Sequence, residues 1–146
     1  MIGLIQRVTS GTVTVQEEIK GQIQEGIVVL VGFQANDHEA LIPKFLERII
    51  GFRIFSDTHG KMNLSVADRE GGVLWVPQFT LAADTRSGRR PSFSSAAEPK
   101  LARTLFDELM LQAKAMYAAS HFGCFGEHMQ VQLVNNGPVT FWVEVT

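Results

Sequence analysis

A Gly-Pro pair near the C-terminal end of this 146-residue chain restricts how that end can fold. Gly137 and Pro138 lie between two strand-like runs, Met129–Val134 and Val139–Val145. X-Pro bonds are the only peptide bonds that adopt the cis form at a modest cost, about 0.5–1 kcal/mol. The pair therefore predicts either an ordinary hairpin turn, which the preceding asparagines favour, or a rigid backbone element that holds its carbonyl oxygens in one direction.

Composition predicts a globular cytoplasmic protein formed by a single domain, residues 1–146. The one cysteine, Cys124, cannot form an intrachain disulfide, and no apolar run approaches the ~18–20 residues of a membrane helix. The short apolar start lacks a basic region and indicates a strand, not a signal peptide. Because the formal net charge is −2, any contact with nucleic acid requires a local basic patch.

Hydrophobic periodicity predicts one α+β domain with about seven or more strands, mostly antiparallel, and two main helices. The first helix is expected over residues 37–50, with Asn36 or Asp37 as its N-cap and a late start or a bend at Pro43. The second is expected from Pro99 to about Tyr117.

The segment Pro77–Ala82 follows a predicted buried strand and carries polar groups that are candidates for catalysis. If the backbone turns outward here, the N–H groups of Gln78, Phe79 and Thr80 converge as an oxyanion hole. The Thr80 hydroxyl is then placed to attack or to position a water molecule. The alternative is a plain strand end with a core phenylalanine.

The loop of residues 84–93 is locally basic within an acidic protein. Its arginines, Arg86, Arg89 and Arg90, are candidates for contacts to nucleic-acid phosphates, since a guanidinium binds phosphate through paired hydrogen bonds. The alternative is a solvated surface loop. The four histidines show no paired metal-ligand spacing, so the sequence predicts no metal site and no cofactor.

Six separated segments, in register over essentially the whole chain, resemble the D-aminoacyl-tRNA deacylase family. They are Ile5–Val8, Arg53–Asp57, Lys61–Leu64, Pro77–Thr85, Arg90–Ser94 and Asn135–Trp142. The resemblance implies a barrel-like fold, a homodimer, and no cofactor. It also implies hydrolysis of the ester that joins a D-amino acid, or glycine mischarged on tRNA-Ala, to the terminal adenosine of tRNA. Such an enzyme performs chiral proofreading in translation quality control, with the acceptor end of aminoacyl-tRNA as its partner and no DNA or membrane partner.

The resemblance further implies an active site at the subunit interface. A Gly-cisPro pair from one subunit, called here the chiral gate, enters the pocket of the other and rejects L-amino acids. Carried over residue by residue, the catalytic pocket residues are Gln78, Phe79 and Thr80, the gate residues are Gly137 and Pro138, and Arg7 packs against the gate.

The chain departs from the family at Pro77, where serine is usual before Gln-Phe-Thr. Proline removes a hydroxyl and an N–H, whereas Phe79 is kept, so D-selectivity is expected to survive. Two alternatives stay open. One is a non-catalytic tRNA-binding module that lost activity at Pro77. The other is a generic esterase that uses Thr80 or Cys124.

Overall fold

Eight strands and two α-helices follow one another along the chain in the computed structural model, which describes residues 1–146. The α+β class with two main helices is confirmed. The strands are β1 Ile2–Val15, β2 Glu18–Ile23, β3 Gly26–Gly32, β4 Phe55–Ser56, β5 Met62–Leu64, β6 Gly72–Pro77, β7 Ser120–Phe122 and β8 Gln130–Glu144. The helices are α1 Ile42–Ile50 and α2 Pro99–Met116, with short 3₁₀ turns at Glu39–Leu41 and Phe79–Ala82.

The main sheet is organised around the long strand β1. Its order is β2-β1-β3-β6-β7, and β8 pairs with β1 as well. The pairs β3–β6 and β6–β7 are parallel, and the pairs made by β1 are antiparallel. At the two ends of this order, Gly21 of β2 lies so close to β7 that an added Cβ would be 2.7 Å from the Phe122 oxygen. The sheet is therefore a nearly closed barrel, as predicted.

Apolar side chains fill both faces of this sheet. A cluster of six buried residues lies on one face: Val8, Val13, Ile23, Val28, Leu74 and Val76. A cluster of 24 buried residues on the other face includes Trp75, and Phe45 and Phe106 from the two helices. Because alternate residues of a strand point to opposite faces, β3 has to be apolar throughout, with Val28 in one cluster and Val29 in the other.

The helix predictions hold except for the N-cap. The first α-helix begins late, at Ile42, so Pro43 lies in its first turn, where a missing N–H is tolerated. The second spans Pro99–Met116 and ends at Tyr117. Neither α-helix combines the length and the apolar character that crossing a membrane requires.

Asp37 is not an N-cap but one half of a buried ion pair. Its Oδ1 accepts a hydrogen bond from the α-amino group of Met1 at 2.7 Å, and its Oδ2 accepts one from the Gln34 N–H at 2.7 Å. The same amino group donates to the Val145 oxygen at 2.7 Å. The Asp37 carboxylate therefore binds the Met1 amino group, 36 residues away in sequence. A charged donor binds a carboxylate more strongly than the backbone N–H groups at the start of a helix do.

Of the two alternatives for Gly137 and Pro138, the hairpin turn is wrong. Both strand-like runs belong to a single strand, β8, which pairs antiparallel with β1 from Thr14↔Gln130 to Ile2↔Glu144. The register shifts between Gln6 and Val8, where residues 136–139 lie opposite Arg7, as in a bulge, which is where a sheet accepts proline. Strand β8 has no neighbour on its outer edge, and most of its residues are exposed.

Candidate active site

A cleft of about 620 Å³ opens where β6 ends. Pro77, Gln78 and Phe79 form one wall. Other walls come from the start of α2, from the segment after β7 and from the first half of β8, and β1 and β3 contribute as well. The lining residues include Gln6, Leu30, Pro99, Ala102, Phe125, Met129, Val131 and Leu133. The predicted pocket residues Gln78 and Phe79 therefore share a concave, mostly apolar site.

The backbone turns sharply at this wall. The Gln78 N–H donates to the Val31 oxygen at 2.7 Å, which extends the β3–β6 pairing by one bond. The 3₁₀ turn Phe79–Ala82 then carries the chain away from the sheet. The expectation that the Gln78 N–H joins an oxyanion hole is therefore wrong, because the neighbouring strand already uses it. Phe79 begins the turn, and the first N–H groups of a helical turn have no partner inside it.

Thr80 faces Gln78 and does not line the cleft. Its hydroxyl donates to Gln78 Oε1 at 2.5 Å, and its backbone N–H donates to the same oxygen at 3.4 Å. The hydroxyl is thereby engaged by an amide oxygen, which is no general base for a nucleophile.

Phe79 connects the cleft to the arginine loop. It is 58% exposed, so the alternative of a core phenylalanine is wrong. Its ring packs on that of Phe93 with centroids 5.2 Å apart. The loop is closed at its base by two backbone hydrogen bonds between Asp84 and Ser92, of 2.7 and 3.0 Å. These contacts hold the loop beside the cleft.

The three arginines of the loop differ in their surroundings. Arg86 binds Asp84 through two hydrogen bonds, Nε to Oδ1 at 2.9 Å and Nη2 to Oδ2 at 2.7 Å. The Arg86 side chain and backbone N–H hold the pKa of the Asp84 carboxyl well below its usual range. Arg89 and Arg90 are exposed and make no ion pair. The uncompensated positive charge of the loop therefore belongs to Arg89 and Arg90.

Arg7 contacts the Gly-Pro pair, whose peptide bond is cis. Its Nε donates to the Asn136 oxygen at 2.9 Å, and its Nη1 donates to the Ile54 oxygen at 2.6 Å. Gly137 has φ +135°, and a Cβ added there would lie 3.1 Å from Arg7 Nη2. Arg7 thus connects three segments: β1, on which it lies, β8, which carries the Gly-Pro pair, and the segment before β4. Gly137 and Pro138 do not line the cleft of their own chain.

Sequence reasoning missed residues 125–129, which form a wall of the cleft. Phe125 is fixed by Arg103, whose guanidinium lies 4.8 Å from the ring centroid and donates to the Phe125 oxygen at 3.0 Å. Two glycines that flank Cys124 and Phe125 were the available signal for a non-helical segment. Cys124 itself lies outside the cleft, and no group of three His, Cys, Asp or Glu residues is arranged to hold a metal ion.

Comparisons with known proteins agree over the full length of the chain. A family described as D-Tyr-tRNA(Tyr) deacylase matches residues 4–144. A D-aminoacyl-tRNA deacylase of Thioalkalivibrio sulfidiphilus is 55% identical over 145 residues, which cover 99% of this chain and 97% of the relative. One from Pseudomonas putida is 52% identical over 145 residues, with 99% and 100% covered.

The solved structures give the same result for the fold. The structure of a protein named c-Myc DNA Unwinding Element Binding Protein is similar with a TM-score of 0.94 and 34% identity, covering 100% of this chain and 99% of that one. With the family pattern matched from β1 to β8, this chain is a member of the D-Tyr-tRNA(Tyr) deacylase family.

Proposed function

We propose that this chain hydrolyses the ester between a D-amino acid and the terminal adenosine of tRNA, releasing the free D-amino acid and tRNA. The observation that carries the proposal is family membership over the whole length, together with a cleft that Gln78 and Phe79 line. Residues 1–146 then form one deacylase domain that works in the cytoplasm on the acceptor end of aminoacyl-tRNA.

An activated ester needs a positioned nucleophile and stabilisation of the developing oxyanion. We assign the oxyanion donor to the backbone N–H of Phe79, which begins the turn beside the cleft. A water molecule adds to the ester carbonyl, and the 3′-oxygen of the adenosine leaves with a proton. Thr80 is not a covalent nucleophile in this scheme, because its hydroxyl donates to Gln78 and no base lies next to it.

The chiral gate of this proposal comes from a second copy of the chain. Gly137 and Pro138 lie on an exposed strand, outside the cleft of their own chain, so they reach a cleft only in a dimer. Strand β8 also exposes the large apolar side chains Val134 and Trp142 along an unpaired edge. The gate rejects the L isomer by backbone contact, without reading a particular side chain, so D-amino acids of many kinds and glycine are accepted.

A substitution on the exposed strand β8 tests whether the protein is a homodimer. Trp142 is 53% exposed on β8, and we expect Trp142→Asp to shift the protein from dimer to monomer in sedimentation velocity, since burying a carboxylate at an interface is unfavourable. Deacylation should fall at least about tenfold with it. Leu111→Asp is the matched control, because Leu111 is 69% exposed on α2, and it should stay dimeric and active. A fully active monomer would contradict the shared site.

The activity is tested with D-Tyr-tRNA and L-Tyr-tRNA, by following the loss of ester in each. Rapid loss of the D ester alone is the expected result. Binding of tRNA without loss of either ester would instead identify a non-catalytic tRNA-binding module. Cleavage of simple aryl esters that disappears in Thr80→Ala or Cys124→Ala would identify a generic esterase.

The arginine loop predicts a salt-dependent effect. In the double variant Arg89→Ala with Arg90→Ala, KM for D-Tyr-tRNA should rise, and the slope of log KM against log salt should fall by about 1 to 2, because each phosphate contact contributes about 0.7–0.9. Arg48→Ala removes one exposed positive charge from α1 and serves as the control. A slope equal to that of the unchanged protein would exclude phosphate contacts by this loop.

A further inference from the structure

The Gln78 side chain has an oxygen that is fully used and a nitrogen that is not. Oε1 accepts both hydrogen bonds from Thr80, one from the hydroxyl and one from the backbone N–H. Nε2 donates to no group of the chain, while every buried side-chain nitrogen or oxygen has a partner. Nε2 is therefore accessible, and Gln78 is half-buried at the cleft wall.

The two hydrogen bonds from Thr80 determine which end of the Gln78 amide faces Thr80. A backbone N–H can only donate, so an amide turned by 180° would place its NH₂ group against the Thr80 N–H. The Thr80 hydroxyl adds the shorter of the two bonds, 2.5 Å. Exchange of the oxygen and nitrogen is thus disfavoured, and the NH₂ group is left as a hydrogen-bond donor.

We infer that Thr80 is a positioning residue that fixes the Gln78 amide, so that Nε2 donates a hydrogen bond to an oxygen of the bound ester. This inference rests on the proposed function and assigns the two side chains different roles. Gln78 contacts the substrate, whereas Thr80 acts only through Gln78. The arrangement also explains why the Thr80 hydroxyl lies next to the cleft without lining it.

The test is a double-mutant cycle with steady-state kinetics on D-Tyr-tRNA. Thr80→Val keeps the shape and removes the hydroxyl, and it should lower kcat about tenfold with KM unchanged, the usual size for one polar contact. Thr80→Ser restores the hydroxyl and should stay within about twofold of the unchanged protein. In the Gln78→Ala background, Thr80→Val should change kcat less than about twofold, since its only partner is gone.

Equal losses from Thr80→Val in both backgrounds would overturn the inference, because Thr80 would then act on the reaction directly. Full activity of Thr80→Val, or a Thr80→Ser variant as slow as Thr80→Val, would also overturn it. A second readout needs no turnover: Thr80→Val should shift the NMR signals of the Gln78 side-chain amide, and Thr80→Ser should leave them in place. Unshifted signals in Thr80→Val would overturn the inference even if the unchanged protein cleaves neither ester, an outcome that by itself concerns only the proposed function.

Discussion

Gly137→Ala should slow the deacylation of D-Tyr-tRNA about a hundredfold, the usual effect of displacing a positioning element by about 1 Å. The backbone at Gly137 has φ +135°, which L side chains rarely adopt. The added Cβ would also lie 2.8 Å from Val139 Cγ2 and 3.1 Å from Arg7 Nη2. The segment and Arg7 must therefore move, and the proposed gate moves with them. Rates on the D and L esters, measured at equal enzyme concentration, check this result.

Gly60→Ala is the matched control for this variant. Gly60 also has a positive φ, +75°, but a Cβ there meets nothing within 4 Å. Both variants therefore introduce backbone strain, and only Gly137→Ala adds contacts at the proposed gate. Comparable thermal unfolding with a selective loss of activity in Gly137→Ala is the expected pattern. Unchanged rates and unchanged discrimination in Gly137→Ala would contradict the assignment of the gate to this segment.

Asp37→Ala should lower the free energy of unfolding by about 3–5 kcal/mol, the cost of removing one partner of a buried ion pair. Met1 is 0% exposed and the Asp37 side chain is 4% exposed, so the remaining charge has no access to water. The variant also removes the hydrogen bond to the Gln34 N–H. Urea unfolding followed by circular dichroism measures the change.

Glu39→Ala is the control for the ion pair, because it removes a carboxylate two residues along the chain that is exposed and unpaired. It should change the free energy of unfolding by less than about 0.5 kcal/mol. A similarly small effect of Asp37→Ala would show that the ion pair between Met1 and Asp37 does not form in solution.

Features that depend on neighbouring residues were predictable from the sequence. The apolar stripe and Pro43 gave the late start of α1, because a proline has no N–H to contribute after the first turn. The uninterrupted apolar run of β3 indicated a strand buried on both faces. The motif around Gln78 and Phe79 located a wall of the cleft, while the roles of these residues remain predictions.

Features set by distant partners were not predictable. Asp37 has the chemistry of an N-cap, and only the fold brings the Met1 amino group to it. Gly137 and Pro138 are typical turn residues. They lie within a strand because β1 is long enough to pair with β8 both before and after them. The sequence does not show that the Gln78 N–H is already used in the sheet, because its acceptor, the Val31 oxygen, lies on another strand.

The continuity of β8 has a consequence for assemblies of two unlike chains. The strand lines its own cleft with Val131 and Leu133 and carries Gly137 a few residues further on, away from that cleft. In the proposed dimer, each site is thus composed of parts from both chains. A mixed particle built from one chain with a damaged cleft and one with a damaged gate would contain one site in which both parts are intact. Each mixed particle would then have half of the activity of the unchanged dimer, although both parent proteins are inactive.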